Sequence, residues 1–174
     1  MIRLGVNVVM LYPHSGITFE NRGTIIFKGK ALIGNDSAIS VGPTGCVTFG
    51  NRFAATTHLH LISYSSVTFG DNVLIGWNTL ITDTDFHALM NIRTGQKNKG
   101  YGPIAIGENV WIANGCKIYK NSTIPANCVL GADSILHGPI ECEPYSVITT
   151  KFEKRITSNG FYHNPEDDSI VYQN

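Results

Sequence analysis

The amino-acid sequence predicts an all-β solenoid, a chain wound into short strands and turns. Three observations predict it. From Ile106 onward every sixth residue is apolar: Ile106, Ile112, Ile118, Ile124, Leu130, Leu136, Cys142 and Ile148. A second register follows each by four residues, at Val110, Cys116, Ser122, Cys128, Ser134, Ile140 and Ser146, and is mostly small or β-branched. One phrase also recurs, as Ile17-Thr-Phe-Glu-Asn, Val47-Thr-Phe-Gly-Asn, Val67-Thr-Phe-Gly-Asp-Asn-Val and Ile104-Ala-Ile-Gly-Glu-Asn-Val. A period of six fits neither an amphipathic helix nor a plain alternating strand. It fits a stacked repeat in which each unit is one strand plus one turn. Three units make a triangular coil of about 18 residues. Ile106 then stacks on Ile124 and Cys142, and Ile112 stacks on Leu130 and Ile148.

Taken in order, the elements support roughly five to seven such coils. The recurring phrases are spaced by 30, 20 and 37 residues, so the coils are interrupted by insertions. Between them Phe27, Ile33 and Ile39 keep the six-residue step, as do Phe69, Ile75 and Ile81. Val, Ile, Thr and Phe dominate throughout, which suits strands. Gly107, Gly131, Asn109, Asn114, Asn121 and Asn127 supply backbone that tolerates tight turns. Residues 88–103 hold three glycines, three basic residues and a proline, the composition of a loop leaving the coil just after His87. A loop of that length in a compact domain is usually functional or disordered. Residues 151–174 lose the period and read as an extension partly covering the last coil.

Composition narrows the function. Among 174 residues, 13 basic and 13 acidic side chains cancel, which favours neither nucleic acid nor an anionic membrane as partner. No apolar run approaches the ~18 residues of a membrane span, and Val6 to Tyr12 is too short for a signal peptide. Cys116, Cys128 and Cys142 occupy interior slots and read as reduced, buried thiols, which points to the cytoplasm. No C-x-x-C spacing suggests a zinc site.

The chemistry concentrates before the loop, at Thr82-Asp83-Thr84-Asp85-Phe86-His87. Imidazole titrates near neutrality, so His87 is a candidate general base. Asp83 and Asp85 precede it at steps of two, and in an extended strand all three share a face. Either aspartate is then placed to hold the Nδ1 proton. A blander reading makes this stretch a turn cap with His87 topping the coil. His58 and His60 form a second pair about one and a half coils earlier. No serine stands in a strained elbow, so no covalent intermediate is implied.

These stretches resemble the hexapeptide-repeat acyltransferases, in particular the sugar and polysaccharide O-acetyltransferases. The resemblance covers about residues 17–148 and rests on Ile81-Thr-Asp-Thr-Asp-Phe-His87, on Ile104-Ala-Ile-Gly-Glu-Asn-Val-Trp-Ile-Ala-Asn-Gly with its downstream repeats, and on Leu130-Gly-Ala-Asp-Ser. It implies a single-stranded left-handed parallel β-helix over residues 1–150, with a protruding loop at 88–103 and a C-terminal extension at 151–174. The hand comes from the resemblance alone, since crossovers in general are right-handed. The implied activity is acetyl-CoA-dependent acetylation of a carbohydrate hydroxyl by direct transfer, with His87 as base. Asn114 falls where the family turns a backbone N–H toward the thioester carbonyl. Trp111 and Ala113 would line the pantetheine channel, and Ala132 would let the cofactor lie close. His58 and His60 fall near the acceptor sugar. The resemblance implies a homotrimer and no metal. Two stretches depart from the family pattern, His137-Gly138 and Glu143-Pro-Tyr-Ser, both near the nucleotide end of coenzyme A. The alternatives are a zinc-dependent β-helix hydratase of the carbonic anhydrase kind, built on His58, His60 and His87, and a catalytically inactive scaffold.

Overall fold

Each turn of the chain lays one strand on each of three faces. In the computed structural model, which describes residues 1–9, 12, 14–150, 161–163, 167 and 169–173, the first turn is β1 (Ile2–Val6), β2 (Ile17–Asn21) and β3 (Thr24–Phe27). The second is β4 (Ala31–Gly34), β5 (Ser37–Val41) and β6 (Cys46–Phe49). The third is β7 (Phe53–Ala55), β8 (Leu59–Ser63) and β9 (Ser66–Phe69). The fourth runs β10 (Leu74–Ile75) and β11 (Thr79–Thr82), leaves the coil through β12 (Leu89–Asn91), and returns at β13 (Ile104–Ile106). Then come β14 (Trp111–Ile112), β15 (Lys117–Tyr119) and β16 (Thr123–Ile124), followed by β17 (Val129–Leu130), β18 (Ile135–Leu136) and β19 (Val147–Ile148). The three parallel faces hold seven, six and five strands. The first face begins at β1, the second at β2 and the third at β3. This is the all-β, left-handed β-helix architecture, and the described residues contain no helix.

The interior is the apolar register read from the sequence. Ile106 lies between Phe69 and Ile124, Ile112 between Ile75 and Leu130, and Leu130 beneath Ile148. Val110, Cys116, Ser122, Cys128 and Ser134 are buried beside them. On the third face Phe27, Phe49 and Phe69 form a stacked column with centroids 4.9 and 5.4 Å apart, braced by Phe53. Each such ring pair adds about 0.5–1.5 kcal/mol beyond its buried area.

The corners repeat as well. Asp36, His58, Asn78, Gly115 and Asp133 take left-handed φ between the first and second faces, and Arg52, Asn72, Asn109, Asn127 and Tyr145 do so between the third and first. Asn and Asp tolerate that region through short polar side chains. Asn114 is not in it; the adjoining Gly115 is. Gly107 and Gly131 serve close approach instead: a Cβ at Gly107 would lie 2.5 Å from the Ala126 nitrogen, and one at Gly131 would lie 2.8 Å from a Thr149 methyl.

Four other expectations change. The first phrase, at Ile17, lies on the second face, pairing with β5; the true counterpart of Val47 is Ile25. Cys142 does not stack on Ile124. Gly138 turns at φ 107° and the chain arrives early, so Thr123 bridges Pro139 and Cys142 Sγ lies 3.8 Å from Cys128 Sγ. The stretch 88–103 is an ordered hairpin rather than irregular loop. Its neck joins Asp85 N–H to Gly100 O and Gly102 N–H to Asp83 O, and its outer part joins Asn98 N–H to Leu89 O and Asn91 N–H to Gln96 O. Finally, the C-terminal segment returns to this hairpin: β20 (Phe161–His163) pairs antiparallel with β12. Residues 151–160, where the extension was expected to begin, lie outside the described residues.

Candidate active site

The chain leaves the second face after Thr82, and this departure fixes the surroundings of His87. Asp83 turns inward and is fully buried. Its carboxylate accepts the Ser63 hydroxyl at 2.7 Å, the Tyr64 N–H at 2.7 Å and the Ser65 N–H at 2.9 Å. Burial pushes its pKa up, and these hydrogen bonds oppose the rise. Asp85 points outward to Lys120, whose Nζ lies 2.6 Å from Oδ1. Phe86 adopts φ 62°. The alternation that would put all three side chains on one face therefore fails: Asp83 lies inside, while Asp85 and His87 are exposed. His87 sits at the bend between the hairpin's neck and its outer part.

The residues expected along the cofactor lie at a different corner. Trp111 is half exposed on the outer side of the first face, in register with Leu74 and Val129. Ala113 is buried and Asn114 half-buried in the turn between β14 and β15. Ala132 is exposed in the corresponding turn after β17. Gly76 keeps that corner tight, since a Cβ there would lie 2.6 Å from the Asn114 nitrogen.

His58 is a corner residue at φ 51°, not a strand residue, and only His60 lies within β8. His58 Nδ1 is 2.9 Å from Asp36 Oδ2. Its ring stacks on Tyr12 at 4.8 Å and approaches the His60 ring at 4.6 Å. Burial lowers the His60 pKa, His58 lowers it further, and Asp36 opposes both. A cavity of about 290 Å³ opens here, lined by Ser15, Thr18, Asp36, Ser37, His58 and His60 among others.

Register shows how these groups relate. β8, β11 and β15 are neighbours on the second face, with His60 beside Leu80 and Leu80 beside Lys117. Asn114, His58 and His60 lie at the entry to that face, and His87 lies past its exit. The run from Asn114 to Tyr119, at about 3.3 Å per residue, spans on the order of 15 Å. Within one chain the length of the second face therefore separates His87 from Asn114 and from the His58–His60 pair, and among the described residues the three histidines of the zinc alternative form no metal-binding cluster.

Several partners escaped sequence reasoning. Asp36 is one: it occupies the same corner as His58 one coil earlier, a signal visible only once the 22-residue coil is known. Lys120 is another, since the hairpin insertion hides its proximity to Asp85. Tyr172 carries no sequence signal for its place beside Thr84.

Comparison with known proteins adds to this geometry. No family model matches the chain. The galactoside O-acetyltransferase of Escherichia coli (strain K12) is 36% identical over 123 residues, 67% of this chain and 59% of that protein. Over those residues the chain is similar to an O-acetyltransferase. WbbJ of the same strain, which bears the name of a lipopolysaccharide biosynthesis O-acetyl transferase, is 25% identical over 129 residues, 70% of this chain and 66% of that one. In both cases the chain spans less than two thirds of its relative's length. Among solved structures, the crystal structure of the polySia-specific acetyltransferase NeuO shares the fold, with a TM-score of 0.57 at 16% identity over 76% of this chain and 65% of that one.

Proposed function

We propose that this protein is an acetyl-CoA-dependent O-acetyltransferase acting on a carbohydrate hydroxyl, with His87 as general base. The observation that carries the reading is an exposed histidine at the base of an ordered hairpin, set into a solenoid 36% identical to a galactoside O-acetyltransferase over 123 residues. His87 accepts the acceptor's hydroxyl proton as that oxygen attacks the thioester carbonyl. The Asn114 peptide N–H stabilises the developing oxyanion, a contribution that typically amounts to several kcal/mol in acyl transfer. Collapse of the intermediate expels the thiolate of coenzyme A, and His87 returns the proton to it. Asp83 and Asp85 act by holding the approach to His87, the first from inside the coil and the second through Lys120.

Trp111, Ala113 and Ala132 border the path of the pantetheine arm. The cavity lined by His58, His60, Asp36, Ser15 and Ser37 offers hydroxyl, imidazole and carboxylate groups suited to a sugar, and supports it as the acceptor pocket. The two halves of the site lie at opposite ends of one face, which supports a homotrimer in which His87 of one chain meets the Asn114 corner of the next. Acetyl-CoA as donor and free cysteines suit a cytoplasmic setting. Residues fitted to pantetheine and sugar call for no metal. The reading is tested by thiol release from acetyl-CoA against a panel of galactosides and other sugars. Release that depends on an acceptor sugar supports it, and absence of both release and coenzyme A binding overturns it.

A further inference from the structure

The C-terminal segment ties itself to the hairpin that carries His87, and the tie converges on one hydroxyl. Tyr172 Oη and Thr84 Oγ1 share a hydrogen bond of 2.6 Å. Thr84 Oγ1 also accepts the Phe86 N–H at 3.0 Å. Phe86 stands at φ 62°, a region strained for a bulky side chain and sustained only where its surroundings over-determine it. The surroundings do so here. The Phe86 ring meets Tyr64 edge-on, and Tyr64 and Tyr101 both pack against Tyr172, at 4.8 and 5.0 Å. Gln173 N–H donates to Tyr101 Oη at 3.1 Å. Ile170 lies so close to Gly100 that a Cβ there would come within 2.6 Å of its terminal methyl. Further out, β20 pairs with β12 of the hairpin and Lys97 pairs with Asp167. Burial pushes the Tyr172 phenol pKa up, so it stays an O–H at working pH.

We propose that Tyr172 is a positioning residue for His87: through Thr84, its hydroxyl holds the strained Phe86 turn that sets where the next residue stands. The C-terminal segment is then part of the catalytic apparatus rather than a cover on the last coil. This rests on the reading of His87 as base. Without the hydroxyl, Thr84 Oγ1 is free to rotate, the Phe86 N–H loses its fixed acceptor, and the turn relaxes toward negative φ. A displacement of about 1 Å at a catalytic group can cost ~10²-fold in rate, and a partial relaxation costs less.

The test uses the full chain with acetyl-CoA and the best acceptor sugar found. Tyr172→Phe keeps the ring contacts with Tyr64 and Tyr101 and removes only the hydroxyl. We expect kcat to fall roughly 10-fold, with KM for acetyl-CoA changed by less than about twofold and the melting temperature unaltered. Thr84→Val should reproduce the loss, and Thr84→Ser, which restores a hydroxyl, should reverse most of it. His87→Ala is assayed alongside. Wild-type turnover in His87→Ala would overturn the base assignment whatever Tyr172 does. Loss of turnover in His87→Ala together with wild-type kcat in Tyr172→Phe would overturn the positioning role alone. So would a Thr84→Ser enzyme as slow as Thr84→Val.

Discussion

Removing the imidazole of His87 should leave the solenoid standing, because the side chain is exposed and contributes nothing to the stacked interior. General-base catalysis is typically worth ~10²–10⁴-fold. We expect His87→Ala to lower kcat by about that range while acetyl-CoA binding, measured by calorimetry, stays near the wild-type value. His60 offers a different readout at the same scale. Burial lowers its pKa, His58 adds to the effect and Asp36 opposes it. As pH falls below about 6.5, the unfolded chain takes up this proton before the folded one does. The stability associated with a neutral His60 is thus complete above that pH and lost as pH falls through the depressed folded value. The melting temperature should drop on acidification below about pH 6.5, and His60→Gln should flatten the drop; an unchanged slope would remove His60 as its source. At this scale the sequence was legible in part. The Asp83-x-Asp85-x-His87 pattern marked the stretch where the insertion begins, but strict alternation cannot foresee that the chain quits the coil at Asp83. A backbone turn at Phe86 then separates a buried carboxylate from an exposed imidazole.

The corner between the third and first faces is an element in its own right. Asn72 Nδ2 donates to Asn109 Oδ1 at 2.8 Å, and Asn109 Nδ2 donates to Asn127 Oδ1 at 3.0 Å, so three successive coils are laced by amides. All three asparagines have left-handed φ. Alanine at position 109 loses both side-chain bonds and strains the backbone, the latter by about 1–2 kcal/mol. Asn109→Ala should therefore destabilise by about 1–2 kcal/mol in urea denaturation, the exposed bonds adding little. Asn109→Gly accepts φ 55° freely and should cost less than Asn109→Ala. Equal costs would show that the amide ladder, and not the turn conformation, carries the effect. The six-residue register made the coils legible from Ile104 to Leu136, where successive strands are 18 residues apart. It misled at Cys142, because Gly138 and Pro139 shorten one side of a coil, while Ile148 returns to register with Leu130. It also misled at Ile17, where a phrase alike in wording lies on another face. The hairpin was legible as an insertion but not as a structure, since its strands depend on pairing with one another and with β20, far along the chain.

At the scale of the whole molecule, the proposed division of the site between two ends of one face leads to a mixing experiment. If each cleft takes His87 from one chain and the Asn114 corner from its neighbour, a defect in either half can be complemented by the other half on a different chain. His87→Ala chains lack the base but keep the cofactor corner. Ala132→Trp chains keep the base but place an indole where the cofactor is proposed to lie. Each homotrimer should be inactive. After the two are mixed, unfolded and refolded together, random assembly in equal amounts gives each cleft about a one-in-four chance of drawing an intact histidine from one chain and an intact corner from the next. Activity should recover to about a quarter of the wild-type value, and light scattering should report a trimer throughout. A site complete within one chain would give no recovery, because every chain would carry one of the two lesions. A stable monomer at micromolar concentration would remove the neighbour altogether. His87 would then have to act at its own end of the second face, with acceptor and donor both bound beside the hairpin.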